Sequence, residues 1–263
     1  MTQLDRHFGR TAFGSDAAGY DAVRPDYPDW VYRVLCDRCG LGPGTATFEI
    51  GAGTGIATRR LLELGADPLT AVEPDARLAA YLGKRCPNPS LRIVVQPFET
   101  AALDDGTFDL GASATSFHWL EENTGLAKVA RLLRPGGWWA AVWNVFGDDS
   151  RPDPFHEATQ ELLAGPESPS AGKAGVPFAL DASARLAALE RTEAFELAAH
   201  QTSPWSLVLN PNQTVALYAT YSNIIARADR REVLAELHRI ASDQFQGSVT
   251  RNMTTALYTA RRR

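Results

Sequence analysis

The sequence contains little cysteine, and the cysteines it has do not form a recognisable site. Three of its 263 residues are cysteine, too few for a disulfide framework. Cys36 and Cys39 have the C-x-x-C spacing of some redox and zinc sites. They fall within a helical pattern, however, and no second Cys or His pair stands at zinc spacing. We interpret both as helix residues and predict no bound metal.

Segments that direct a protein to a membrane are also missing. No run of about eighteen apolar residues, the length that crosses a bilayer, occurs in the sequence. The stretch from Met1 to His7 lacks the apolar core of a signal peptide. We therefore expect a soluble, cytoplasmic protein without a membrane partner.

A surplus of positive charge is absent too. The chain has 26 Lys and Arg against 31 Asp and Glu, which gives a net charge of −5 and a pI near 5.6. Because surfaces that bind nucleic acid are usually basic, we expect no nucleic-acid partner. A hydrophobic content of 44% and a charged content of 22% are those of an ordinary globular chain. The length fits one α/β domain with insertions, or two small domains.

A glycine-rich turn between a predicted strand and a predicted helix organises the chain. The strand signal at residues 45–50 is followed by Gly51, Gly53 and Gly55 and then by helical spacing of apolar residues. A turn without Cβ atoms lets a ligand approach the backbone closely. Glu73 ends the next predicted strand, where an acid can accept hydrogen bonds from ribose hydroxyls. This combination predicts a nucleoside cofactor.

Two details distinguish between nucleosides. The dinucleotide fingerprint requires glycine at its sixth position, and counting from Gly51 that position is Ile56. Glu49 precedes the turn by two residues, where its charge would repel a pyrophosphate. S-adenosylmethionine carries a sulfonium and an ammonium group, so its charge suits Glu49. An NAD-dependent oxidoreductase is the alternative that these residues disfavour.

With these residues the chain resembles the class I S-adenosylmethionine-dependent methyltransferases. It is most similar to small-molecule enzymes of methyltransferase type 11 that are like trans-aconitate methyltransferase. Residues 20–28, Tyr-x-x-x-Arg-Pro-x-Tyr-Pro, resemble the N-terminal cover of those enzymes. Residues 132–137, Leu-Leu-Arg-Pro-Gly-Gly, resemble a turn that recurs before their fifth strand. The resemblance covers residues 17–145 and becomes thin beyond them.

The resemblance implies which residues contact S-adenosylmethionine. Arg24 is expected to meet the methionine carboxylate. Phe98 and Glu99, at the end of the third strand, are expected to hold the adenine ring by stacking or by hydrogen bonds to its edge. The full set expected at the cofactor is Tyr20, Arg24, Glu49, Gly51, Ala52, Gly53, Gly55, Glu73, Pro74, Phe98, Glu99 and Thr115.

His118 is the candidate catalytic residue. It follows the fourth predicted strand, where ligands bind in such sheets, and the family often has a His-Trp pair here. For a hydroxyl, amine or acidic carbon acceptor, His118 would act as a general base. For a carboxylate acceptor no base is needed, and an arginine such as Arg24 or Arg151 would orient it. A histidine that only holds the loop is the alternative. The residues expected to contact the acceptor are Tyr27, Trp119 and Arg151.

Alternating strand and helix signals predict an α/β fold. We expect a Rossmann-like, seven-stranded and mostly parallel sheet with helices on both faces and an antiparallel strand near the C-terminus. The N-terminus and the insertion after the fifth strand are expected to form a cap. The predicted divisions are an N-terminal lid segment at 1–40, a cofactor-binding core at 41–145, a substrate cap with the sixth strand region at 146–230, and a C-terminal helix and last strand at 231–263.

These features together predict an S-adenosylmethionine-dependent methyltransferase acting on a small-molecule acceptor at an O-, N-, C- or carboxyl group. The alternatives are the NAD-dependent oxidoreductase and a non-methylating protein that keeps the S-adenosylmethionine pocket. The acceptor, the need for a base and the oligomeric state stay open.

Overall fold

One mixed β-sheet runs through the molecule. The computed structural model describes residues 3–146, 151–173 and 175–263. The strands in these residues are β1 (Thr45–Ile50), β2 (Ala66–Val72), β3 (Leu91–Val94), β4 (Phe108–Ala114), β5 (Leu133–Phe146), β6 (Phe195–Leu209) and β7 (Val249–Arg262). Their order is β3-β2-β1-β4-β5-β7-β6. Strands β1 to β5 are parallel, and β7 is antiparallel to both of its neighbours. This confirms the predicted fold class.

Helices pack around the sheet. The described residues form α1 (Ala17–Val23), α2 (Asp29–Asp37), α3 (Ile56–Glu63), α4 (Ala76–Arg85), α5 (Glu122–Leu132), α6 (Pro154–Leu163), α7 (Ala182–Arg191), α8 (Pro211–Tyr218), α9 (Ser222–Ile225) and α10 (Arg230–Asp243). No helix in these residues has the combined length and apolarity that crossing a bilayer requires.

The central strands are covered by apolar side chains on two sides. One cluster contains Phe48, Trp139 and Tyr258, and a second contains Leu69 and Leu110. Strands buried in this way are rich in apolar and β-branched residues. The carboxyl ends of β1, β2 and β4 therefore meet at one edge of a rigid sheet, which is where ligands bind in this kind of fold.

Side-chain hydrogen bonds mark the ends of the helices beyond β5. Residues 211–226 contain two helices, since α8 ends at Tyr218 and α9 begins at Ser222. Thr220 lies between them and its hydroxyl donates to the Leu217 carbonyl at 2.6 Å. Asp181 caps α7 by accepting from the Ala184 N–H at 3.0 Å.

A buried ion pair attaches the cap to the sheet. Here the cap means the described residues 151–173 and 175–191, together with α8 and α9; residues 147–150 and 174 of the predicted insertion lie outside the described residues. The Arg251 side chain on β7 is buried, and its Nε lies 2.9 Å from Oδ2 of Asp153 at the start of α6. The guanidinium also lies 4.7 Å from the centre of the Phe146 ring. A buried charge must be compensated, so this pair fixes the position of α6 against β7.

Replacing Asp153 by Asn should lower the free energy of unfolding by about 3 kcal/mol. The change leaves the Arg251 charge buried without its carboxylate. An Asn side chain can still accept from the His156 N–H, as Asp153 does at 2.9 Å, so the helix cap is kept. Urea denaturation would measure the difference.

The control is Glu236→Gln, which removes the partner of Arg239 in an exposed pair. That variant should lose less than about 0.5 kcal/mol. Equal losses in the two variants would mean that the buried pair does not anchor the cap.

Candidate functional site

A cavity of about 580 Å³ opens at the carboxyl ends of the central strands. Its floor is the turn between β1 and α3, where Gly51 and Gly53 have φ angles of 66° and 60°. A Cβ atom on Gly51 would lie 2.5 Å from the Ser116 side chain, so only glycine fits there. The hydroxyl of Thr54 is buried next to this turn and has no hydrogen-bond partner among the described residues. A ligand in the cavity can therefore approach the backbone of the turn closely.

Glu73 holds the turn from the end of β2. Its carboxylate accepts from the Gly53 N–H at 2.8 Å and from the Asp75 N–H at 2.9 Å. The acid is buried even without a ligand, since only 4% of the residue is exposed. Burial raises the pKa of Glu73 to about 7, against the opposing effect of the two N–H donors.

Glu49 is the second buried acid of the cavity. The Thr58 hydroxyl donates to its Oε2 at 2.6 Å. Burial, together with the neighbouring Glu73, raises the pKa of Glu49 to about 8, although the Thr58 hydrogen bond and Arg59 act in the opposite direction. Two acids that ionise reluctantly in one cavity favour a ligand carrying positive charge.

The N-terminal segment, residues 3–28, lies along the cavity and is attached to the core by arginine side chains. Arg6 donates to the main-chain carbonyls of His118 (3.1 Å) and Leu120. Arg10 forms an ion pair with Glu99 at 2.7 Å. These contacts close the segment over the glycine turn and the end of β3.

Further along the N-terminal segment, Arg24 and Tyr27 line the cavity. The Arg24 guanidinium donates to the hydroxyl and the carbonyl of Thr220, both at 2.9 Å, and lies near the rings of Tyr20 and Tyr221. The Tyr27 hydroxyl is 2.7 Å from the Thr115 hydroxyl. Arg24 is therefore held by the cap while it faces the cavity.

The structure brings most of the predicted site residues together. The cavity is lined by Tyr20, Arg24, Tyr27, Glu49, Gly51, Ala52, Gly53, Glu73, Pro74, Phe98, Glu99, Thr115, His118 and Trp119. Gly55 and Arg151 are not among its lining residues. Gly55 begins α3 with a φ of 91° and packs against Leu82, and Arg151 donates to the main-chain carbonyls of Trp205 and Met253.

Phe98 has a more limited role than stacking on an adenine ring. Its side chain is only 3% exposed and its ring lies parallel to that of Phe48, with centres 6.1 Å apart. Lys128 Nζ lies 4.9 Å from the ring centre. Because the ring packs into the core, its faces are covered by protein side chains and are not available for stacking.

His118 lies in a box of aromatic rings at the far side of the cavity. The Trp143 indole N–H donates to its Nδ1 at 3.1 Å, and the rings of Trp119 and Phe178 are adjacent. Burial, together with the nearby Arg6 and Arg24 charges, lowers the pKa of His118 to about 3. The imidazole is therefore neutral at physiological pH and a poor proton acceptor, which does not suit the general base that its position suggested.

The cap side of the cavity was missed by sequence reasoning. It is formed by aromatic and polar side chains that are distant in the chain: Trp143, Asn144, Phe146, His156, Gln160, Phe178, Tyr221 and Met253. No local spacing joins these residues, because they meet only when β5, α6, α9 and β7 pack together. The aromatic residues among the prolines of the insertion were the one available signal.

The ligand-free protein should become less stable as the pH rises from 5 to 9. Both acids have a higher pKa in the folded chain than their ordinary value of 4.5. Their contribution to the free energy of unfolding is therefore complete below about pH 4.5 and is lost as the pH passes 7 to 8. Glu49→Gln should flatten this dependence and make the protein more stable than the parent at pH 9 by roughly 2 kcal/mol.

The measurement is the free energy of unfolding across this pH range for the parent and the variant. Glu63→Gln, which changes an exposed acid on α3, is the control and should follow the parent curve. If the Glu49→Gln curve also ran parallel to the parent, the carboxyl group of Glu49 would not be the buried acid described above.

Comparisons with known proteins agree with this geometry. Residues 48–141 match the methyltransferase domain family. An uncharacterized methyltransferase of Schizosaccharomyces pombe is 33% identical over 155 residues, which are 59% of each chain. The chain thus spans three-fifths or less of the length of the first curated relatives it matches.

Solved structures share the fold at low identity. One is phosphoethanolamine N-methyltransferase 2 of Haemonchus contortus in complex with S-adenosylhomocysteine, with a TM-score of 0.57 and 12% identity over 95% of this chain and 57% of that one. Another is a [4+2]-cyclase, with a TM-score of 0.61 and 14% identity over all of this chain and 98% of that one. The glycine turn, its two acids and the strand order agree with the match of residues 48–141 to the methyltransferase domain family.

Proposed function

We propose that this protein transfers a methyl group from S-adenosylmethionine to a small-molecule acceptor. The observation that carries the proposal is the pair of buried acids, Glu49 and Glu73, on either side of a glycine turn that lets a ligand reach the backbone. This site attracts a cationic nucleoside and disfavours a pyrophosphate. S-adenosylmethionine is the cofactor of the family that the chain resembles, and when bound it would supply an activated methyl group.

Different residues of the cavity would bind different parts of the ligand. Glu73 would accept hydrogen bonds from the ribose, since a carboxylate oxygen that already accepts one N–H has a further lone pair. Glu49 would face the cationic end of the ligand. Arg24 and Tyr20 would lie near the ligand's carboxylate. Glu99 and the main chain of Phe98 would hold the purine. Each of these roles follows from the position of the side chain in the cavity and from the chemistry of the ligand.

The protein's contribution to the reaction is alignment and exclusion of water. The N-terminal segment and the cap enclose the cavity between them, and its far side is formed by rings such as Trp119, Trp143 and Phe178. A dry cavity strengthens the attraction between an acceptor and a sulfonium ion. Holding the acceptor in line with the methyl group orients the two reactants, so they need not meet by a chance encounter in solution.

A second possibility is a protein that binds the cofactor without transferring its methyl group. The resemblance in fold to a [4+2]-cyclase shows that this architecture also occurs in a protein of another named activity. The aromatic lining of the acceptor side would suit an apolar ligand in either case. Binding measurements cannot separate the two, so turnover must be measured.

Calorimetry with S-adenosylmethionine, S-adenosylhomocysteine and NAD tests the cofactor. We expect both sulfur nucleosides to bind and NAD to bind at least 10-fold more weakly, because a cationic group favours the ionised form of Glu49 whereas a pyrophosphate opposes it. Tighter binding of NAD would contradict the proposal. A methyl-transfer assay with isotope-labelled cofactor and a panel of small acids, phenols and amines then distinguishes an enzyme from a binding protein.

Glu73→Gln should weaken binding of S-adenosylhomocysteine by about 10- to 100-fold, the range for loss of hydrogen bonds to a charged group. The variant should also lose less stability than the parent between pH 5 and pH 9, because an amide does not ionise in the buried site. Calorimetry and urea denaturation measure the two effects. Glu63→Gln is the matched control, and unchanged affinity in Glu73→Gln would remove this acid from the ligand site.

A further inference from the structure

The imidazole of His118 has one nitrogen committed and one available. The committed nitrogen is Nδ1, which accepts the Trp143 indole N–H at 3.1 Å. Nε2 has no hydrogen-bond partner among the described residues, and His118 lines the cavity. The chemistry of the available nitrogen therefore depends on where the single proton of the neutral ring resides.

Trp143 determines the position of that proton. An indole N–H can only donate, so the nitrogen that receives it must carry a lone pair. In a neutral imidazole the proton then resides on Nε2. Protonating Nδ1 would place two N–H groups face to face and break the 3.1 Å hydrogen bond.

The surroundings offer no compensation for a charged ring. Trp119 comes from the same loop, Trp143 from β5 and Phe178 from the cap. The charged groups that act on the ring are Arg6 and Arg24, both positive, and they lower its pKa together with burial. No carboxylate of the described residues is hydrogen-bonded to the His118 side chain.

We propose that Trp143 is a positioning residue that holds His118 as the Nε2–H tautomer, so that His118 offers the methyl acceptor a hydrogen-bond donor and not a base. The proposal rests on the proposed methyltransferase function and identifies the class of acceptor that His118 would receive. The donor suits an acceptor whose nucleophilic oxygen is already ionised at neutral pH, such as a carboxylate or an acidic phenol or enol.

The methyl transfer then requires no proton to pass to the histidine. The ionised oxygen forms its bond to the methyl carbon with its own electron pair, and the carbon–sulfur pair remains on sulfur as a neutral thioether. Nε2–H keeps its proton throughout and only orients the acceptor. An un-ionised hydroxyl would have to lose a proton, and the Nε2–H tautomer has no lone pair at that nitrogen to receive it.

Nitrogen NMR of the histidine-labelled protein, in the presence of S-adenosylhomocysteine, tests the tautomer directly. In the parent we expect the His118 Nε2 resonance of a protonated nitrogen and the Nδ1 resonance of an unprotonated one, unchanged from pH 5.5 to 8.5. In Trp143→Phe the two resonances should move towards one another, because Phe cannot donate to Nδ1. An Nδ1–H tautomer or a cationic ring in the parent within this range would overturn the proposal.

Two variants separate donor from base once an acceptor is found. Gln can donate from its amide but cannot act as a base, so His118→Gln should keep turnover within about 10-fold of the parent, whereas removal of a general base costs about 100-fold or more. His118→Leu, without a donor, should lose more than His118→Gln. Equal losses in both, with a pH–rate limb near the ordinary histidine pKa in the parent, would establish the base role instead.

These outcomes are independent of the cofactor experiment. Calorimetry can fail for S-adenosylmethionine while the NMR result stands, since the tautomer is set by Trp143 and not by the cofactor. Should Trp143→Phe not fold, the parent spectrum alone still decides which nitrogen carries the proton.

Discussion

The Glu73 carboxylate joins two separate parts of the site, and the cavity depends on it. It accepts main-chain N–H groups from Gly53 in the glycine turn and from Asp75 at the start of α4. Both donors are fixed by an acid that is itself buried, so the turn can keep positive φ angles without a ligand present. The cost is a carboxyl group that ionises only near pH 7. A cationic ligand lowers that cost, because its charge favours the ionised form of both Glu73 and Glu49.

Charge is distributed unevenly over the cavity. The glycine-turn end holds the two buried acids, whereas the opposite end is formed by rings and by a neutral histidine near Arg6 and Arg24. A ligand with a positive centre and an anionic neighbour would be oriented by this difference before any specific hydrogen bond forms. The aromatic end also excludes water, which makes each remaining electrostatic contact stronger. The arrangement thus gives one cavity two ends of different electrostatic character.

Local patterns were sufficient for the sheet, the glycine turn and the acids, because these depend on residues close together in the chain. The ligand role of Gly55 was not supported, because its place against Leu82 is decided by the packing of α3 on α4. Arg151 was chosen for its charge, yet β6 and β7 supply carbonyls that hold it away from the cavity. The role of His118 depends on Trp143, 25 positions later in the chain, and on the charges of the N-terminal segment. None of these long-range pairings has a sequence signal of its own.

The N-terminal segment joins the cap to the core beside the cavity. It reaches from the cap, where the Leu4 N–H donates to the Glu167 carbonyl at 2.8 Å, to the core, where Asp21 meets Arg59 at 3.1 Å. These contacts are single hydrogen bonds and partly exposed ion pairs, so they open far more readily than the sheet unfolds. Dissolved salt therefore loosens the attachment of this segment, while the buried acids of the cavity are little affected.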